Sequence, residues 1–568
     1  MHYQVSYRFP HKQFIDLEFT IEKVTGKFLE LQLPAWRPGR YELQNFAQNI
    51  RSFSAQDGSG LPLSVQKVKK DRWRVETSGA RRIVIRYSYY ASQMDAGGSW
   101  LDENQLYINW VNCTLAVVGR EKEAYTVRLD VPDNYTIATS LKVKGKKLKA
   151  ASYYELVDSP VIASPTLLHH QFEESSCEFH IWIQGNCKPD WVKMENEFRA
   201  FTQVQVALFE EFPTKEYHYL FQILPYKHYH GVEHAHSTVI TLGPAEQFHD
   251  PKLYDELLGV SSHELFHTWN VTRIRPAQMV PYDFSKENYF QTGFIAEGVT
   301  TYYGDLMLKR SGVFSQERYF KELNKLFKRH FENYGRFNMS LADSSTDLWL
   351  DGYKLGIPNR KVSIYVKGAI VAMLLDLELR QKTNNQKSLD DVMRLMWEEF
   401  GSGKKGYRTD DYIRMVNTIA GRDMEKYFEA YIFGTTPVEE RLQELLKNVG
   451  CEFKKALPES ALEKDFGMKL KKENGVHKIA KIATGSPADS YLCINDELVS
   501  INGIKITSSP DALVALSEPK LQIAFFRNNE LYTCALQSDS RHYFHTYEIS
   551  LKDKLSEKEQ KHLSAWLG

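Results

Sequence analysis

The stretch DELLGVSSHELFHTWN (Asp255 to Asn270) constrains the chain more than any other. At 100° per residue, a helix through it puts His263, Glu264 and His267 on one face and Leu258, Leu265 and Trp269 on the other. Such a helix can be buried and still present two imidazoles. One turn, a rise of ~6 Å, separates the histidines, so both rings can converge on one zinc ion with Glu264 beside it as a base. The bland alternative is a buried helix whose histidines are merely capped and packed. Two histidines leave a catalytic zinc site one protein ligand short. Glu297, 30 positions after His267, is the candidate: in TGFIAEGVTTYYGDLML a second helix would place Ile295, Val299, Tyr302 and Leu306 opposite it. Otherwise that glutamate is surface or helix N-terminal charge.

The rest of the chain has room for such a site. Its 568 residues point to about three or four domains. Charged residues at 25% and hydrophobic ones at 42% describe a globular composition. Balanced totals of 72 basic and 72 acidic residues exclude a whole-protein field that recruits nucleic acid or an anionic membrane. Six scattered cysteines with no CxxC pair fit reduced thiols rather than a disulfide framework. MHYQVSYRFP lacks the pattern of a secretory leader, and the most apolar run, Ala369 to Leu375, is far short of the ~20 residues that span a bilayer. A cytoplasmic location is expected.

Short alternating runs such as LEFTIE, RIVIRYSYY and TVRLDV make the N-terminal part β-rich, with LPAWRPGRYELQNFA (Leu33 to Ala47) reading as a rigid loop. Helical periodicity dominates from about Lys252 to Val449. A linker-like segment, Lys454 to Lys464, then leads to strand patterns with one short helix around Ala512 to Ser517, and the chain closes on a charged tail with a helix. The expected organisation is multidomain α+β: a β-rich domain (1–168), a mostly α domain (169–452), a small β-rich module (453–540) and a tail (541–568).

HELFHTWN followed by FIAEGVTTYYGD resembles the glycyl aminopeptidase family of thermolysin-like zinc peptidases. There a HExxHxWN helix precedes an EG-containing helix that supplies the third ligand. LPAWRPGRY resembles the family's N-terminal β domain and residues 464 to 540 resemble its PDZ domain, so the likeness covers nearly the whole chain. It implies one zinc per chain held by His263, His267 and Glu297, with Glu264 as general base. SIYVKGAIVAMLLDLELR resembles the YxKG helix of zinc aminopeptidases, which makes Tyr365 the expected donor to the oxyanion; without the family it is a core tyrosine. HYHGVEHAHST (His228 to Thr238) resembles the GGxEH stretch, implying that Gly231 and Glu233 bind substrate, Glu233 through its free α-amine. His230 stands where the first glycine is expected, which bears on the pocket for the first residue and so on a preference for Gly or Ala.

Three local readings stay open. The histidines at 228, 230, 234 and 236 could themselves hold a metal, although an extended segment edging a cleft explains them better. Asp305 could orient a ligand from the surrounding shell or simply be solvated. The PDZ-like module implies a peptide C-terminus received at Asp465-Phe466-Gly467-Met468, unless it only packs. The expected function is zinc-dependent removal of N-terminal residues from peptides with a free amine, with no nucleic-acid or membrane partner and no oligomeric state indicated. The competing readings are a peptide-binding scaffold and a zinc endopeptidase.

Overall fold

Alternation in the N-terminal third becomes strands with one apolar face. In Phe14–Glu22, Ile15, Leu17, Phe19 and Ile21 are buried while Asp16 and Glu22 face solvent. The structure, a computed structural model, describes residues 1–354, 356–507, 509–514 and 519–568. A seven-stranded sheet runs in the order Lys142–Lys144, Lys147–Ala150, Tyr125–Leu129, His2–Ser6, Phe14–Glu22, Arg82–Tyr90, Ile50–Asp57, accompanied by two four-stranded sheets. The third and fourth strands in this order pair in parallel, Tyr125–Leu129 with His2–Ser6, and His2–Ser6 pairs antiparallel with Phe14–Glu22. One core joins the three sheets.

The next sheet frames the site. Its five strands run Leu168–Glu174, Cys177–Gly185, Glu216–Ile223, Ser237–Gly243, His228–Glu233. Three central strands are parallel and His228–Glu233 is an antiparallel edge, with His230 opposite Thr241 and Glu233 opposite Thr238. The helices that follow pack on this sheet to form the largest core. The helix Pro251–Phe266 starts at Asp250, whose side chain accepts from the Lys252 N–H, with Pro251 in the first turn. It ends at His267.

The second helix begins differently from the sequence expectation. Phe294–Val299 is a π-helical turn that runs into the α-helix Thr300–Arg310. All six residues of the π turn are buried, Glu297 included, so no polar face opposes Ile295 and Val299. Two glycines let neighbouring helices approach. A Cβ at Gly298 would lie 2.5 Å from Gly368 Cα, and one at Gly304 would lie 3.2 Å from His263 Cα. The Glu297 segment therefore meets both the His263 helix and the helix Val366–Lys382 backbone to backbone.

The C-terminal part departs from the expectation in two places. Lys454 to Lys464 is not a linker: Cys451–Ala456 is a strand paired with Thr546–Leu551, and Ala461–Lys464 is a short helix. The charged composition hides alternation, in which Cys451 and Phe453 face the core. Nor is 541–568 a free tail. Its helix Glu557–Leu567 buries Leu563, Trp566 and Leu567 in the main core, and the Trp566 indole donates to the Tyr302 hydroxyl at 2.9 Å. Between these segments a six-stranded sheet with its own core contains Met468–Glu473 as one edge. The short helix there spans Pro510–Val514; residues 515–517 of the expected helix lie outside the described residues. Among the described residues no helix is long and apolar enough to cross a membrane.

Candidate active site

The structure brings His263, His267 and Glu297 together. His263 Nε2 is 3.1 Å from His267 Nε2, and Glu297 Oε2 lies 3.4 Å from His267 Nε2 and 3.9 Å from His263 Nε2. Tetrahedral zinc with bonds of ~2.0–2.2 Å separates its ligand atoms by about 3.3–3.6 Å, so the spacing suits one shared ion. Proton positions agree. His267 Nδ1–H donates to the Asn270 carbonyl at 2.9 Å, which keeps Nε2 as the atom that faces the other two groups. Burial pushes His263 well below the ordinary imidazole range, with His267 adding to the effect. Burial also pulls at His267, but the charge and hydrogen bond of Glu297 outweigh it and carry that ring up to about 10. These three donors are arranged to share one positive charge, and the described residues fit a zinc ion.

Two residues that lie within the quoted motifs, but whose contacts no spacing encodes, hold this set in place. The Tyr41 hydroxyl, from the loop between Gln32 and Phe46, donates to Glu297 Oε1 at 2.8 Å and turns Oε2 toward the imidazoles; both side chains are buried. Asn270 joins the end of the His263 helix to the π turn, its Nδ2 donating to Ile295 O at 2.8 Å and Thr300 Oγ1 at 2.9 Å. Asp305 has no such part. It sits against Gly259, and burial with the nearby Glu322 raises its pKa to about 7.

Glu264 and Glu233 stand beside His267, with one ligand atom of each of the three within 4.8 Å of the others. Both carboxylates are buried, and Glu264 Oε2 and Glu233 Oε1 have no hydrogen-bond partner among the described residues. Burial raises the pKa of each; His267 opposes the shift and Glu297 adds to it. Such atoms are aimed at something outside the chain. Two glycines permit the crowding. A Cβ at Gly231 would overlap Glu264 Oε1, and one at Gly39, whose φ is +77°, would lie 2.5 Å from Glu233 Oε2. Loop 37–40 thus closes over Glu233.

Side chains alternate along His228–Glu233, so Gly231 and Glu233 face the cluster while His230 faces the other way. Its Nδ1 is 3.8 Å from Asp95 Oδ1, and burial with the Arg37 charge lowers its pKa to about 3. His230 therefore turns away from Glu264, and its bulk does not enter the cluster. The histidines at 228, 230, 234 and 236 join no three-ligand group among the described residues. A different group, His180, Glu216 and His218, does, but its two rings are stacked 4.6 Å apart at 9°. One ion cannot lie in both ring planes. Trp182 Nε1–H also donates to His218 Nδ1 at 3.1 Å, which puts the ring proton on Nε2.

Tyr365 precedes the helix Val366–Lys382. Its ring centroid is 6.5 Å from that of His263 and its hydroxyl 3.3 Å from that of Tyr353.

Residues 2–165 match the Peptidase M61 N-terminal domain, and residues 256–371 match the M61 glycyl aminopeptidase domain. No curated protein matches the chain. A crystal structure of an aminopeptidase N family protein from Idiomarina loihiensis is 26% identical over 100% of both chains, with a TM-score of 0.91. An M1 zinc metallopeptidase from Deinococcus radiodurans, in a mutant form bound to a Tyr-Ser-Ala substrate, is 15% identical over 77% of this chain and 94% of its own, with a TM-score of 0.50. The second likeness speaks for the fold.

Proposed function

We propose that this metallopeptidase, which carries domains of the M61 peptidase family, is a zinc-dependent aminopeptidase that uses His263, His267 and Glu297 as ligands. The observation that carries the reading is the convergence of those three donors, 3.1 to 3.9 Å apart, beside two buried carboxylates with unpartnered oxygens. One ion per chain would occupy them. The chemistry such an ion supplies is Lewis acidity, which brings the pKa of water toward ~7 and polarises a carbonyl.

The chain's own groups do the rest. Glu264, its proton affinity raised by burial, takes a proton from the attacking water and returns it to the leaving amine. Glu233 holds the substrate's free α-ammonium through a charge-assisted contact and so sets the scissile bond in register. Gly231 lets the edge strand pass close to Glu264. Tyr365 donates to the developing oxyanion, an interaction whose removal costs on the order of 10²–10³ in rate.

The close approach of Gly39 to Glu233 favours an exopeptidase over an endopeptidase, because loop 37–40 packs on the carboxylate that would hold the amine. A small first residue, Gly or Ala, is the matching preference. The intact donor set weighs against a scaffold without chemistry. For the C-terminal module we favour a PDZ domain that receives a peptide C-terminus at Asp465–Met468, since Met468–Glu473 pairs on one side only and leaves an edge for strand addition.

Hydrolysis of Gly- and Ala-anilides by zinc-loaded protein, with N-acetylated substrates alongside, tests the function. Glu264→Gln should keep its zinc and lose nearly all turnover. Equal cleavage of acetylated peptides would remove Glu233 as amine anchor, and undiminished turnover by Glu264→Gln would overturn the mechanism.

A further inference from the structure

Tyr365 is one of three tyrosines around Glu297, and the third has no part in the mechanism above. Tyr353 follows the short helix Leu348–Asp351 and keeps 41% of its surface open, so it borders the cleft rather than the core. Its hydroxyl lies between two groups: the Tyr41 backbone N–H donates to it at 3.4 Å, and the Tyr365 hydroxyl is 3.3 Å away. Arg40 stands over its ring at 5.4 Å, and ion pairs brace the preceding segment, Arg360 with Asp347 and Asp351 and Lys361 with Asp351. The neighbouring Gly352, at φ +58°, is packed against the Glu42 side chain with no space for a Cβ.

We propose that Tyr353 is a positioning residue for the reaction: it accepts from Tyr41 N–H and donates its only proton to the Tyr365 oxygen. The role of Tyr365 as oxyanion donor sets the direction, since the Tyr353–Tyr365 contact itself allows either donor. A phenol has one hydrogen to give, and a backbone N–H can only donate, so the Tyr353 oxygen is the acceptor on the Tyr41 side. Were Tyr365 to donate to Tyr353, its single proton would be engaged there and lost to the substrate. With the order Tyr41 N–H, Tyr353 O–H, Tyr365 O–H, the last proton points at the oxyanion. Each bond polarises the next. The separations of 3.3 and 3.4 Å are long for such bonds, and the relay requires them to shorten as the reacting complex forms. The proposal rests on the reading of Tyr365 as oxyanion donor.

The test is a double-mutant cycle on zinc-loaded full-length protein with alanine p-nitroanilide, comparing Tyr353→Phe, Tyr365→Phe and the pair. Phenylalanine keeps the ring and removes the hydroxyl. Tyr353→Phe should lower kcat about three- to tenfold with KM nearly unchanged, and should cost nothing more once Tyr365 is already Phe. Inhibition by a phosphinic dipeptide, tetrahedral at phosphorus, should weaken in step with kcat/KM, while binding of free alanine stays constant. An unchanged kcat, or an equal loss in both backgrounds, overturns the relay and leaves Tyr365 in its role. A Tyr365→Phe variant of full activity removes the underlying reading instead.

Discussion

Tyr41→Phe isolates one contact between the N-terminal β-rich part and the candidate zinc site. The hydroxyl removed donates to Glu297 Oε1 at 2.8 Å, and neither side chain is accessible to water that could replace it. A hydrogen bond to a charged group contributes about 1.5–3 kcal/mol. At ~1.4 kcal/mol per decade that is one to two decades, the range of about 10–100-fold seen when the partner of a metal ligand is lost. Zinc affinity should fall by that factor, measured by competition with a chelator of known affinity on metal-stripped protein. Thermal stability without metal should fall as well, because the same bond joins two buried side chains there. The same change made in a Glu297→Ala background should add nothing, because the contact acts only through that carboxylate. An affinity within threefold of the parent would refute the argument that Tyr41 orients a ligand.

Three further outcomes follow from packing and charge. Gly231→Ala places a methyl group on Glu264 Oε1; kcat/KM should drop by about 100-fold or more while the zinc content holds, and normal kinetics would show that the strand can move aside. Trp566→Ala empties a buried site and breaks the bond to Tyr302, which should cost about 3–5 kcal/mol and shift urea denaturation earlier; an unchanged midpoint would make the C-terminal helix an appendage. Asp305, with a folded pKa of about 7 against an ordinary 3.8, binds more protons folded than unfolded between those values. Stability is therefore lost as pH rises through that window and the penalty is full above it. Asp305→Asn should raise the melting temperature at pH 8 and leave it alone at pH 4, and an equal effect at both would refute the assignment.

What could be read from the sequence was whatever is local and periodic. The spacing of His263 and His267 is a property of one helix and appears as one. The alternation in HYHGVEHAHST holds only over the edge strand His228–Glu233, and His234 and His236 fall in the turn before the next strand, Ser237–Gly243. Glu297 could be nominated because the chemistry lacked a ligand, yet its surroundings were misjudged: a π turn removes the face that a regular helix would have shown. Tyr41 was out of reach, 256 residues from its partner and in a loop with no period. Asn270 stood in plain view beside the histidines, but its work is a tertiary link to Ile295 and Thr300 that no spacing encodes. The C-terminal helix is legible in the sequence, but the strand Cys451–Ala456 hides in a charge-rich, linker-like segment, and the few apolar positions that dock both, Phe453, Ile549 and Trp566, are too sparse to declare a core.

The most direct test is X-ray absorption spectroscopy of the zinc-loaded protein with its metal content measured in parallel. We predict one zinc per chain with two imidazole nitrogens at ~2.0–2.1 Å and carboxylate oxygen at ~2.0–2.2 Å, and loss of that oxygen shell contribution in Glu297→Ala. A protein that binds no zinc, or binds it with fewer than two imidazoles, would contradict the account.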